Sequence, residues 1–99
     1  MTPAVAGMRG PEIPGFRWVR PLGQGGFADV FLYRQELPSR EVAIKVVRTQ
    51  GDERGTKELH READAMTLLA GHPAVVELHG VGTTADGRAY LVMEYCPVA

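Results

Sequence analysis

Leu22-Gly23-Gln24-Gly25-Gly26-Phe27-Ala28-Asp29-Val30, followed by Val42-Ala43-Ile44-Lys45, decides how this chain is read. Glycines between two strand-like runs let main-chain N–H groups come close to an anion, because glycine lacks a Cβ and tolerates positive φ. A lysine nearby adds the point charge that such a loop lacks. Asp29-Val30-Phe31-Leu32-Tyr33 is rich in β-branched and aromatic residues, so the loop opens a strand. A dinucleotide-binding glycine fingerprint must open a helix, and that alternative is set aside.

On either side of this stretch the pattern stays simple. Residues 16–22, 29–34 and 41–48 read as three antiparallel strands, the last two joined by a turn at residues 37–40 that contains Pro38. Residues 51–55 break the alternation, after which Thr56 is placed to cap a helix running to about residue 70, ended by Gly71 and Pro73. Residues 75–83 and 89–95 supply two more strands, with Asp86-Gly87 as a hairpin signal between them. The expected fold is α+β, a five-stranded antiparallel sheet with one main helix. Residues 1–15 hold Pro3, Gly7, Gly10, Pro11, Pro14 and Gly15 and read as a flexible leader to a single domain over residues 16–99.

The two periodicities bring out one cation and one anion. On the third strand, Ala43, Lys45 and Val47 share a face while Val42, Ile44 and Val46 share the other, so Lys45 interrupts an apolar face. A snorkelling lysine at a strand end would look the same in isolation; the adjacent glycine loop favours contact with phosphate. On the helix, Leu59, Ala63, Met66, Leu69 and Ala70 fall on one stripe, with Glu62 inside it and Leu68 pointing outward. A carboxylate on a buried face needs a partner, and Lys45 is the lysine left over on the sheet. Glu58, at the stripe's margin, is the lesser candidate, and a solvated Glu62 is the alternative.

These residues resemble the start of a protein kinase domain, of the eukaryotic type found in bacterial Ser/Thr kinases. Arg61-Glu62-Ala63, Gly71-His72-Pro73-Ala74-Val75-Val76 and Tyr90-Leu91-Val92-Met93-Glu94-Tyr95-Cys96 look like its third helix, the turn after it and its hinge strand. The resemblance implies the amino-terminal lobe, with ATP as its ligand. It puts Gly23, Gln24, Gly25, Gly26, Phe27, Ala28 and Asp29 over the phosphates, and Leu22, Val30 and Ala43 over the adenine. Lys45 would meet the α- and β-phosphates and pair with Glu62 as the catalytic couple. Met93 would limit the depth of the pocket, while the Glu94 carbonyl and the Cys96 N–H would meet the adenine edge. Ala28 stands where the family pattern has its third glycine, so ordinary backbone angles are expected there.

The same resemblance implies phosphoryl transfer from ATP to hydroxyls of a protein substrate in the complete domain, with Mg2+ held by residues that this sequence does not contain. No His-Arg-Asp, Asp-Phe-Gly or Ala-Pro-Glu tripeptide occurs in it. The 99 residues alone are therefore expected to be inactive, to bind ATP weakly, and to self-associate through surface around Met66 and Leu78 that would face the second lobe. A non-catalytic module that binds a nucleotide or a partner protein is the competing reading.

Bulk composition narrows little but excludes some classes. A net charge of −1 gives no general reason to expect nucleic acid or an anionic membrane as partner. The one cysteine, Cys96, excludes an intrachain disulfide and a cysteine metal cluster. No apolar run approaches the roughly 18 residues of a membrane span, and a cytoplasmic location is expected. His60, His72 and His79 have no second ligand at metal spacing.

Overall fold

The computed structural model describes residues 9–96. Its strands are β1 (Phe16–Gly25), β2 (Ala28–Gln35), β3 (Arg40–Val47), β4 (Leu78–Thr83) and β5 (Ala89–Glu94), with one helix, α1 (Glu53–Leu68), between β3 and β4. They form a single five-stranded sheet in the order β1-β2-β3-β5-β4, every neighbouring pair antiparallel. The expected α+β architecture is what the chain adopts.

β3 sits at the centre because its sequence is apolar on both faces, as a strand covered on both sides must be. Val42, Ile44 and Val46 join Phe31, Tyr33, Val92 and Ile13 in one cluster on the outer face of the sheet. Val47 joins Leu91 and Ala89 with Leu59 and Ala63 of α1 in a second cluster on the inner face. The period-2 division of β3 thus becomes two separate cores. Lys45 lies on the inner face with the helix.

Several of residues 9–15 contact the sheet. Ile13 is 3% exposed and bridges to Phe16, the Tyr33 hydroxyl donates to the Pro11 carbonyl at 2.5 Å, and the Arg9 guanidinium lies 4.7 Å from the centre of the Trp18 ring. Packing against the sheet thus extends upstream of Phe16 as far as these residues. An outer sheet face carrying Phe31, Tyr33 and Val42 has to be covered, and a segment with one isoleucine among prolines and glycines covers it.

The helix also begins earlier than its sequence suggests. Asp52, not Thr56, is the N-cap: its carboxylate accepts from the Gly55 N–H at 2.9 Å, while the Thr56 hydroxyl donates to the Asp52 carbonyl at 2.8 Å. Leu69 is the C-cap, and Gly71 at φ +89° lets the chain turn away. Leu69 and Ala70, assigned to the buried stripe by the helical wheel, are exposed because the helix stops before them. β4 starts at Leu78, later than expected, since a turn in which the Val75 N–H donates to the His72 carbonyl takes up the residues after Pro73.

Candidate functional site: a glycine loop over a paired lysine

The loop between β1 and β2 arches over the rung of the sheet that carries Lys45. In register, Gly23 lies opposite Val30, Val30 opposite Lys45, and Lys45 opposite Leu91. One rung along, Leu32, Ala43, Met93 and Leu78 follow each other across the same sheet. Cross-strand neighbours share a face, so Val30, Ala43, Lys45 and Met93 all look toward the inner side. Leu22 occupies the irregularity between Pro21 and Gly23, at the edge of this surface.

Gly23, Gln24, Gly25, Gly26, Phe27, Ala28, Val30 and Lys45 together line a cavity of about 320 Å³. None of the loop glycines has positive φ, and a Cβ built on Gly23, Gly25 or Gly26 would meet nothing within 4 Å. Internal packing therefore does not require glycine at these three positions. Bare main chain beside an open cavity is what close approach of an anion requires. Ala28 takes ordinary backbone angles, as expected from its Cβ.

Beneath the loop, the Lys45 ammonium donates to both carboxylate oxygens of Glu62, at 2.7 and 2.9 Å. Sheet and helix thus meet where their separate periodicities placed one charge each. Glu58 is occupied elsewhere, by Arg61 at 2.7 Å on the same helix. The lysine side chain is 23% exposed and that of the glutamate 41%, so water screens the pair and it contributes about 1 kcal/mol or less to stability. Its importance is positional. Two of three ammonium protons are spent on Glu62, leaving one for a further acceptor. The Phe27 ring lies 5.3 Å from the same ammonium and packs against the inner core.

Asp29 is placed differently from the other loop residues. Its carboxylate is buried and bound by the Arg48 guanidinium at 2.9 Å, so only its main chain is available to a ligand. Arg48 carries no signal in the sequence reading. Pairing of Ala28 with Val47 puts Arg48 one residue past the open end of the β2–β3 hairpin, a placement that depends on the strand register.

At the far end of the sheet, Met93 and Glu94 close β5, half-buried, and Cys96 is exposed just beyond it. The Glu94 N–H donates to the Glu77 carbonyl at 2.8 Å, and the Glu94 carboxylate accepts from the Glu77 N–H at 3.1 Å. Local desolvation, a hydrogen bond to Glu94 and the charge of that carboxylate push the Cys96 thiol up from its ordinary range. A larger cavity, about 500 Å³, lies away from the glycine loop, between the end of α1 and β4, and includes Met66, Val76 and Leu78.

A glycine loop facing a lysine held by a helix carboxylate, on a five-stranded antiparallel sheet, defines the amino-terminal lobe of a protein kinase domain. Comparison with known proteins agrees: the family model described as protein tyrosine and serine/threonine kinase matches residues 16–99. The chain belongs to that family. It is 40% identical over 91 residues to the serine/threonine-protein kinase PknK of Mycobacterium tuberculosis, and equally to that of Mycobacterium bovis. These matches cover 86% of this chain and 8% of each relative, so the chain spans a small part of the proteins it matches.

Proposed function

We propose that this chain is the ATP-binding lobe of a Ser/Thr protein kinase. The Lys45–Glu62 pair under the glycine loop is the observation that carries the reading. ATP supplies the transferable phosphoryl group. Lys45, held on one side by Glu62, offers its remaining N–H to the α- and β-phosphates, and the loop main chain from Gly23 to Ala28 covers them. Leu22, Val30 and Ala43 form the apolar surface for the adenine, with Met93 behind it and the Glu94 carbonyl and Cys96 N–H at its edge. Catalysis by this lobe consists of binding and orientation.

The groups that in the complete family domain hold Mg2+ and orient the attacking hydroxyl have no counterpart in the sequence. Phosphoryl transfer to protein hydroxyls is accordingly proposed for a complete domain, and the 99 residues alone are proposed to be inactive. Radiolabelled transfer by the purified chain above a Lys45→Met control would refute the second statement.

Site and chemistry can be tested together with an acyl-phosphate derivative of ATP, which transfers its acyl group to a lysine lying beside the bound phosphates. The chain has two lysines, Lys45 and the exposed Lys57, so it contains its own control. Mass spectrometry should find label on Lys45 that excess ATP suppresses, and unsuppressed background on Lys57. Equal labelling of the two, insensitive to ATP, would overturn the assignment.

A further inference from the structure

A single residue outside the glycine loop holds the whole tip of it. Arg48, the first residue after β3, donates from its main-chain N–H to the Phe27 carbonyl at 2.9 Å. Its Nη1 donates to the Gly26 carbonyl at 2.7 Å, and its Nη2 to the carbonyls of Gly25 at 2.8 Å and Ala28 at 3.2 Å. The Asp29 carboxylate accepts from Nη2 at 2.9 Å and from Nε at 3.2 Å to each oxygen. Every residue from Gly25 to Asp29 therefore has an oxygen bonded to Arg48.

Two consequences follow from the geometry of the peptide unit. In a trans peptide the N–H points opposite to the preceding C=O. With the Gly25 and Gly26 carbonyls drawn onto the guanidinium, the N–H groups of Gly26 and Phe27 are turned away from it. Such a turn needs a donor fan of fixed shape, which the planar guanidinium supplies and an ammonium does not. Because its charge is already met by a buried carboxylate, Arg48 is spent on the loop and does not itself serve as an anion ligand.

We propose that Arg48 is the positioning residue of the glycine loop, fixing through Asp29 and three main-chain carbonyls the orientation of the amides that face the nucleotide phosphates. The proposal rests, for the identity of the ligand, on the ATP-binding reading above; the claim about the loop does not. Here the preorganised state is the free one, so the loop meets its ligand without first having to order.

The test uses the 99-residue chain with Arg48→Met, Arg48→Lys and Asp29→Asn, each read by amide hydrogen exchange without nucleotide and by amide NMR titration with Mg·ATP. Arg48→Met should speed exchange at the amides of residues 24–29 by about tenfold while leaving the α1 amides unchanged, the fold-change of lost hydrogen bonds to a charged donor. Mg·ATP should bind it about fivefold or more weakly, from the same loss of order. Arg48→Lys should behave like Arg48→Met, because charge without the fork cannot hold three carbonyls. Asp29→Asn, which keeps the carbonyl contacts, should lie between the parent and Arg48→Met.

Loop exchange in Arg48→Met within a factor of about two of the parent would overturn the proposal. So would full recovery by Arg48→Lys, which would make Arg48 a simple phosphate-attracting charge. If Mg·ATP fails to bind even the unsubstituted chain, the function falls, and the exchange result alone decides the role of Arg48. Should Arg48→Met fail to fold, Arg48→Lys against Asp29→Asn decides it by the same readouts.

Discussion

Replacing Leu59 with alanine should remove most of what fastens α1 to the sheet. Only Gly55, Leu59 and Ala63 are buried on the helix, and Leu59 is the one large side chain among them, fully enclosed with Val47, Ala89 and Leu91. Truncating a leucine in such a site costs about 2–5 kcal/mol, transfer and cavity together. A domain of this size has a total stability of about 5–15 kcal/mol, so a loss near 3 kcal/mol is a large share of it. Leu68, nine positions on and so half a turn round the helix, is 86% exposed; its replacement by alanine should cost less than about 0.5 kcal/mol.

Urea unfolding followed by the fluorescence of Trp18, the single tryptophan, measures both. With a denaturant slope near 1 kcal/mol per molar, at the low end for small domains, Leu59→Ala should lower the midpoint by roughly 2–3 M and Leu68→Ala should barely move it. Circular dichroism should follow the same curve if the helix and the sheet unfold together. A cost for Leu59→Ala under about 1 kcal/mol, or equal costs at the two leucines, would refute the docking described for α1.

Further expectations concern the outer face and the helix cap. Burial pushes the Tyr33 phenol up from 10.0 to about 12 against the opposing charges of Arg88 and Arg9. Since its folded pKa lies above the unfolded one, the stability it contributes is full below pH 10 and is lost as pH rises toward about 12. Ultraviolet titration should show a phenol transition near pH 12 that is lost in Tyr33→Phe, and the absence of any such transition would contradict this burial. Asp52→Ala removes the acceptor for the Gly55 N–H and should lower stability by about 1 kcal/mol, with Thr56→Ala costing less; the reverse order by urea unfolding would restore Thr56 as the cap.

Much of the inner face could be read from spacing alone, because there the physics is periodic. Alternation along residues 42–47 fixed the side of the sheet for Lys45, and the helical angle from Leu59 to Ala63 fixed that of Glu62; the ion pair needs little beyond those two facts. What stayed hidden depends on register and on single side chains. Asp29 and Arg48 lie at the open end of a hairpin, where pairing has to be known to the residue before their contact can be seen. Ile13 lies in a segment whose glycines and prolines suggest looseness, yet one apolar side chain and one carbonyl suffice to seat it on the sheet. The start of the helix is ambiguous in the sequence for a similar reason: Asp52 and Thr56 are both capable caps, and only the chain's path out of β3 chooses between them.

The central claim is that a lysine held by a helix carboxylate, under a loop of bare main chain, receives nucleotide phosphates. Titrating the amide spectrum of the chain with Mg·ATP up to millimolar concentration measures it most directly, since weak binding is still resolved residue by residue. Saturable shifts should gather at residues 23–30, at Ala43 and Lys45 and at residues 93–96, and should vanish in Lys45→Met and weaken in Glu62→Gln. Shifts gathered on the outer face around Trp18 and Tyr33, or an unchanged response in Lys45→Met, would contradict it.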